Sequence, residues 1–422
     1  MNPITKQPKI QLPSAFRSRN YRLFFAGQGI SLIGSWMTRV AAVWLVYNLT
    51  QSAWMLGVVG FISQIPTLIL LPVAGVFIDK WNRHRVIIAT QILAMVQSLA
   101  LAVLALTGII NIWHIIILSF CQGAIDAFDA PARQALVPEL VEKKEHLAQA
   151  IALNASMFNG ARLIGPALAG LLIGTVGASY CFLIDGLSYI AVIAGLLAMQ
   201  LKPRKIAVTT TKPLQRLQEG FAYAFGFPPI RSILLLLALV SFAGMSHTVL
   251  VPIFATQILN GGPETLGFLM AASGVGAFAG AIYLSTRKSI LGIGKLIAIS
   301  PAVMGFGLIG FSVSRVLWLS LIAMLFVGIG FILQFAAGNT FLQTIVEDDK
   351  RGRVMSIYTM AFFGVTPFGN LLAGGLANYI GAPNTVLIGG IICLIGAAIF
   401  TRQLPSLKHL VRPIYQKMGL IS

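Results

Sequence analysis

Acidic residues are scarce in this chain: Asp and Glu together number 12 in 422 residues, and charged residues of either sign make up only 10%. A water-soluble domain carries about a quarter charged residues. With 57% hydrophobic residues and a mean hydropathy of +0.85, this composition excludes a fold that hides its apolar surface from water unaided. Cysteine is nearly missing as well. Cys121, Cys181 and Cys393 all fall in apolar runs, with no spacing that suits a disulfide framework or a metal. No phosphate loop, nucleophile elbow or metal-ligand pattern occurs, so the sequence predicts no enzyme, no catalytic or metal site and no cofactor. The basic, polar stretch from Met1 to Arg22 lacks the short apolar core and cleavage site of a signal peptide, which predicts that the first span is retained.

What the chain does have is long apolar runs, each sufficient to cross a hydrocarbon core of about 30 Å. Separated by short loops, they predict helices, because a helix satisfies its own backbone hydrogen bonds in lipid. A barrel would show short alternating segments instead. The expected spans are 22–48, 54–78, 86–108, 112–137, 147–176, 180–201, 230–259, 264–286, 292–313, 316–345, 353–379 and 383–404. The longest connection, 202–229, holds Lys202, Arg204, Lys205, Lys212 and Arg216, and is expected to form a surface helix near Leu214 to Phe225.

A net charge of +18 would suggest nucleic acid in a soluble protein. Here the basic residues cluster in the arm, the even-numbered loops and the tail, whereas the odd-numbered loops hold little beyond Arg315. That asymmetry predicts no nucleic-acid partner, a lipid bilayer around the chain, and both termini with the long loop in the cytoplasm of a bacterial inner membrane.

The two halves echo one another. Gly123 to Glu142, ending Leu140-Val141-Glu142, aligns with Gly328 to Glu347, ending Ile345-Val346-Glu347, and Gly165-Pro166-Ala167-Leu168-Ala169-Gly170 aligns with Gly369-Asn370-Leu371-Leu372-Ala373-Gly374. Parallel repeats of this kind place a site near the midplane between them. The expected organisation is a six-helix bundle over 1–201, a linker over 202–229, a second bundle over 230–404 and a tail over 405–422.

After the second span, Gly75-Val76-Phe77-Ile78-Asp79-Lys80-Trp81-Asn82-Arg83-His84 resembles the signature loop of the major facilitator superfamily, with Asn82 in place of the usual Gly and His84 in place of the last basic residue. Gly27-Gln28, Gly34-Ser35-Trp36-Met37, Pro131-Ala132-Arg133-Gln134-Ala135, Asn159-Gly160-Ala161-Arg162-Leu163-Ile164-Gly165-Pro166 and Arg351-Gly352-Arg353-Val354-Met355-Ser356 resemble the branch with enterobactin exporters and macrolide-efflux proteins. The resemblance implies an all-α membrane protein of twelve transmembrane helices in two pseudo-symmetric six-helix bundles. It implies that Gly75, Asp79, Lys80 and Arg83 form a conformational clasp, and that Gly165, Pro166 and Gly170 serve packing and hinge motion. Ala161 and Ala169 depart from the antiporter form of that last motif. Ser119 stands before Gln122-Gly123 where proton antiporters carry Arg.

Arg39, Asp126, Asp129, Arg162 and His247 fall inside spans, where a charge costs at least about 2.5–3.5 kcal/mol unless it faces a cavity or a partner. Asp129 lies four residues before Arg133, which suits a helical ion pair. Asp126 has two readings, a proton carrier or a fixed bridge to Arg39 or Arg162. His247 reads first as a polar packing residue. By the resemblance, Arg39, Asp126 and His247 line the central cavity. Trp36, Trp44, Phe331, Phe335 and Phe362 offer aromatic surface to a bulky solute. The leading functional reading is a monomeric, proton-linked exporter of an amphipathic small molecule such as a siderophore or drug. Import of a siderophore or related solute, and a non-transporting sensor or scaffold, stand beside it.

Overall fold

Serine and asparagine start the first four spans. Ser18 and Ser52 accept from the backbone amides of Tyr21 and Met55, Asn82 accepts from Arg85, and Asn111 forms a capping box with His114. A computed structural model describes residues 14–141, 143–201, 213–287 and 289–419, except the side chains at 72, 73, 75, 76, 79, 144, 213–218 and 348. No strand occurs among the described residues. Among the described residues, twelve helices are long and apolar enough to cross a bilayer: Arg19–Thr50, Ala53–Leu71, Arg83–Leu106, Ile112–Leu140, Leu147–Thr175, Ala178–Leu197, Pro228–Val249, Pro263–Thr286, Ile293–Val313, Leu317–Ile345, Asp349–Ile380 and Ala382–Lys417. Large apolar side chains such as Ile69, Trp113, Leu197 and Phe306 stand exposed on their outer faces, as lipid-facing residues do.

Three spans differ from smooth rods. The second is two helices, Ala53–Ile62 and Ile65–Lys80, and the eleventh is Asp348–Phe363 followed by Thr366–Ile380. Pro66 and Pro367 open the later segments, where proline's missing N–H costs nothing. The seventh span passes from α-helix through a π turn at Val240–Gly244 and a 3-10 turn at Met245–Val249, then a second π turn at Phe254–Ile258. The last helix continues to Lys417 with Pro405 and Pro413 inside it, so the stretch from 405 extends the twelfth helix; the fall in hydropathy there marks a change of solvent, not of backbone. Within the linker a helix covers Pro213–Gly226, tied to the eleventh span by an ion pair between Glu219 and Arg353 of 3.0 Å. Residues 202–212 of that linker, and Lys6 and Lys9 of the arm, lie outside the described residues.

The duplication is visible in the backbone. Gly177 (φ 99°) and Gly381 (φ 83°) lie 204 positions apart and turn the chain between the fifth and sixth and the eleventh and twelfth spans. Only glycine takes such angles without strain. Gln51 (φ 48°) and Asn260 (φ 50°) do the same after the first and seventh spans.

The halves meet along two seams of small residues. A Cβ added at Gly170 of the fifth span would sit 2.9 Å from the Cα of Gly267 in the eighth. A Cβ at Gly374 of the eleventh would sit 2.7 Å from the Cα of Gly57 in the second. Backbones this close require glycine on both sides. Both seams lie late in the fifth and eleventh spans and early in the eighth and second, and they join the halves at the end where the first span finishes.

Candidate functional site

Two arginines, Arg39 of the first span and Arg162 of the fifth, meet at one tryptophan of the first. At Gly165 a Cβ would meet the Cβ of Trp36 at 2.5 Å, so glycine there lets the first and fifth spans approach until Trp36 lies against both. The guanidinium carbon of Arg39 stands 5.1 Å from the Trp36 ring centroid and that of Arg162 stands 5.8 Å from it. Arg162 also faces Phe331 of the tenth span, 4.8 Å from its centroid. Such cation–π contacts contribute about 0.5–2 kcal/mol each. Phe331, Phe335 and Phe362 then form a continuous aromatic wall, with centroids 5.1 to 6.2 Å apart. Trp36 meets Phe158 edge-on at 6.0 Å.

Arg39 reaches Asp126 of the fourth span, Nη2 to Oδ2, at 3.8 Å, and Gln122 Nε2 donates to Asp126 Oδ1 at 3.0 Å. Of the two bridges the sequence allows for Asp126, the one with Arg39 is present. Its side chains are 59% and 39% exposed, so the pair borders open space in the middle of the bundle. A long, open ion pair contributes about 0–1 kcal/mol and rearranges readily.

One helical turn away the second carboxylate is locked. Asp129 accepts from Arg133 at 2.6 Å, from Thr90 Oγ1 at 2.9 Å and from Gln91 Nε2 at 2.8 Å, and is 4% exposed. Its lone pairs are used and it holds the third and fourth spans together. Asp185 is likewise structural: Ser98 Oγ and Ser35 Oγ donate to it at 3.0 and 3.3 Å, joining the first, third and sixth spans.

Arg39, Asp126, Arg162, Trp36, Phe331 and Phe335 therefore form one connected group, assembled from both halves. His247 does not join it. Its Nδ1 donates to the Gly244 carbonyl at 2.6 Å across the 3-10 turn, it is 4% exposed, and its Nε2 is buried without a partner among the described residues. Trp44 packs against the hydrophobic core.

At the opposite end, Arg83 Nη1 donates to the Ala135 carbonyl and to Glu139 Oε1, both at 2.9 Å, tying the third span to the end of the fourth within the first half. Lys80 is exposed; Gly75 and Asp79 lie in the helix Ile65–Lys80, and the Asp79 side chain is outside what is described. Pro166 sits inside the fifth helix between Gly165, which seats Trp36, and Gly170, which forms the seam. Glu139 and the seam partners Gly57 and Gly267 were not singled out by the sequence. The small-xxx-small spacing of Ala53 with Gly57 is the signal that could have shown the second of these. No cluster of three metal-ligating side chains occurs among the described residues.

Residues 12–413 match the family described as transmembrane secretion effector. The staphyloferrin A transporter of Staphylococcus aureus (strain NCTC 8325 / PS 47) is 27% identical over 394 residues, covering 92% of this chain and 97% of that one. Macrolide efflux protein A of Streptococcus pyogenes is 25% identical, covering 89% and 95%. The multidrug efflux pump Tap of Mycolicibacterium fortuitum is 26% identical, covering 90% and 95%. Among solved structures, a bacterial homologue of the human lysosomal transporter Spinster, inward-facing and unoccupied, superposes with a TM-score of 0.71 at 14% identity, over 95% of this chain and 99% of that one. A nucleoside transporter superposes with a TM-score of 0.67 at 14% identity, over 91% and 99%. These last two likenesses speak to fold alone.

Proposed function

The chain belongs to the transmembrane secretion effector family of major facilitator transporters, and from that premise we propose that it is a proton-linked exporter of an amphipathic small molecule such as a siderophore or a macrolide-like drug. It is a multi-pass bacterial membrane protein and a transporter rather than an enzyme. In this reading it works as a monomer in the inner membrane with both termini in the cytoplasm, as the distribution of Lys and Arg suggests.

The observation that carries the reading is the Arg39–Asp126 pair. It borders open space between the halves, while small-residue seams join the halves at the end where the first span finishes. With the termini cytoplasmic, the site is open to the compartment from which an exporter loads. Solute entering over Trp36 and the phenylalanine wall would displace Arg39 from Asp126. The freed carboxylate would exchange a proton with the opposite face once the halves rock about the site. In the rocked state, Asp79 and Arg83 would act as the clasp across the newly closed end. His247 stays a packing residue in this scheme.

The test uses inside-out vesicles with an imposed pH gradient and a panel of macrolides and carboxylate siderophores. Gradient-stimulated uptake into those vesicles, lost in Asp126→Asn, is the expected result. Accumulation in right-side-out vesicles would replace export with import. Absence of flux in either orientation would leave the sensor reading.

A further inference from the structure

Of the ionisable groups in the central site, Arg162 alone lacks an opposite charge: Arg39 has Asp126, but no described carboxylate lies within ion-pair distance of Arg162. Its neighbours are two ring faces, Trp36 and Phe331. Rings solvate a cation only in part, and a cation deep in a membrane protein requires a partner or a water-filled cavity. Two guanidiniums therefore converge on one tryptophan against a single carboxylate, and that carboxylate is held at 3.8 Å by the other arginine.

We propose that Arg162 is the oxyanion-binding residue of the transported solute, and that the solute class is an organic anion with a planar or ring-bearing body. The assignment rests on the exporter reading above and narrows it. The carboxylate or similar oxyanion takes an edge of the Arg162 guanidinium, where its in-plane N–H groups offer paired donors. Arg39 contributes a second positive charge at the same Trp36 ring. The ring-bearing part lies along Phe331, Phe335 and Phe362. Because Arg162 belongs to the first half and Phe331 to the second, a bound anion competes with the contact that joins them, and occupancy is felt at the interface that must move. A cationic drug has no comparable seat, since the one loose carboxylate is shared.

The test compares fluorescein with rhodamine 6G, which share a xanthene ring system and carry opposite charge, titrated by fluorescence anisotropy against protein in zwitterionic nanodiscs. Fluorescein is expected to bind at least tenfold more tightly than rhodamine 6G. Arg162→Gln is expected to weaken fluorescein at least tenfold and leave rhodamine 6G unchanged, with Arg162→Lys intermediate. Tighter rhodamine binding, no fluorescein binding, or an unaltered fluorescein affinity in Arg162→Gln overturns the proposal. The wild-type comparison keeps the test decisive if that variant does not fold. Discs containing phosphatidylglycerol separate the two sources of oxyanion: unchanged affinity supports a soluble anion, and displacement of the dye overturns it in favour of a lipid headgroup. Fluorescein that binds through Arg162 yet does not enter inside-out vesicles would uphold the anion seat and sink the exporter reading. Rhodamine 6G pumped without fluorescein binding would do the reverse.

Discussion

Asp126 and Phe331 occupy equivalent places in the two halves, 205 residues apart in the repeat, and each receives one arginine. Arg39 meets Asp126 at 3.8 Å, and Arg162 stands 4.8 Å from the Phe331 ring centroid. Duplication supplied two like positions. Sequence divergence then made one a charge partner that can let go and the other a neutral face that cannot neutralise.

Phe331→Leu should lower transport about two- to thirtyfold without unfolding the protein. The substitution keeps apolar volume and removes a ring contact of about 0.5–2 kcal/mol. Initial-rate flux in vesicles, with the thermal midpoint as control, checks it. A midpoint that falls in step with flux would show a packing role only.

Asp126→Asn should abolish the response to a pH gradient while exchange down a solute gradient continues. The open pair contributes about 0–1 kcal/mol, so the thermal midpoint should move little. Counterflow with and without the gradient separates the two effects.

Asp129→Ala should behave oppositely. It leaves Thr90, Gln91 and Arg133 without their shared acceptor. The expected loss is about 2–4 kcal/mol of stability, read as a drop in thermal midpoint or detergent half-life. The gradient response of the protein that remains folded should be normal.

Gly170→Leu or Gly374→Leu should open the end where the seams join the halves. Even a Cβ at these positions falls within 3.0 Å of the partner backbone. Overpacking of about 1–3 kcal/mol would shift the conformational equilibrium roughly 5- to 150-fold away from the described state. Spin labels at Gln51, just after the first span, and Tyr379, in the last turn of the eleventh, should report a longer distance. An unchanged distance would mean that the seam yields locally.

Much of this site could be read from the sequence, and the parts that could not are tertiary. Spans follow from hydropathy alone, since lipid demands long helices whatever their neighbours. Asp129–Arg133 follows from helical spacing, which is local. The choice of Arg39 over Arg162 as partner of Asp126 depends on how the first, fourth and fifth spans rotate against one another, and no local pattern encodes that. His247 reads first as a polar packing residue and lines a cavity only by the resemblance; the 3-10 turn carries its ring back onto the Gly244 carbonyl, as the packing reading expects. Gly170 stood out by its motif, whereas Gly57 had only a small residue one turn away. The reach of the last helix to Lys417 was hidden because a helix leaving the bilayer turns polar without ending.

The first span runs unbroken from Arg19 to Thr50, whereas its counterpart, the seventh, is interrupted by two π turns and a 3-10 turn. The repeat therefore divides mechanical labour as well as charge. A continuous helix carries Arg39 and should keep its aim fixed if the halves rock. The opposing strut has spare backbone donors and acceptors that can re-pair by one residue, so it can shorten or swivel without losing a full helical turn. Bending between the bundles should concentrate along 240–258, and amide exchange there should outpace that of the first span throughout turnover.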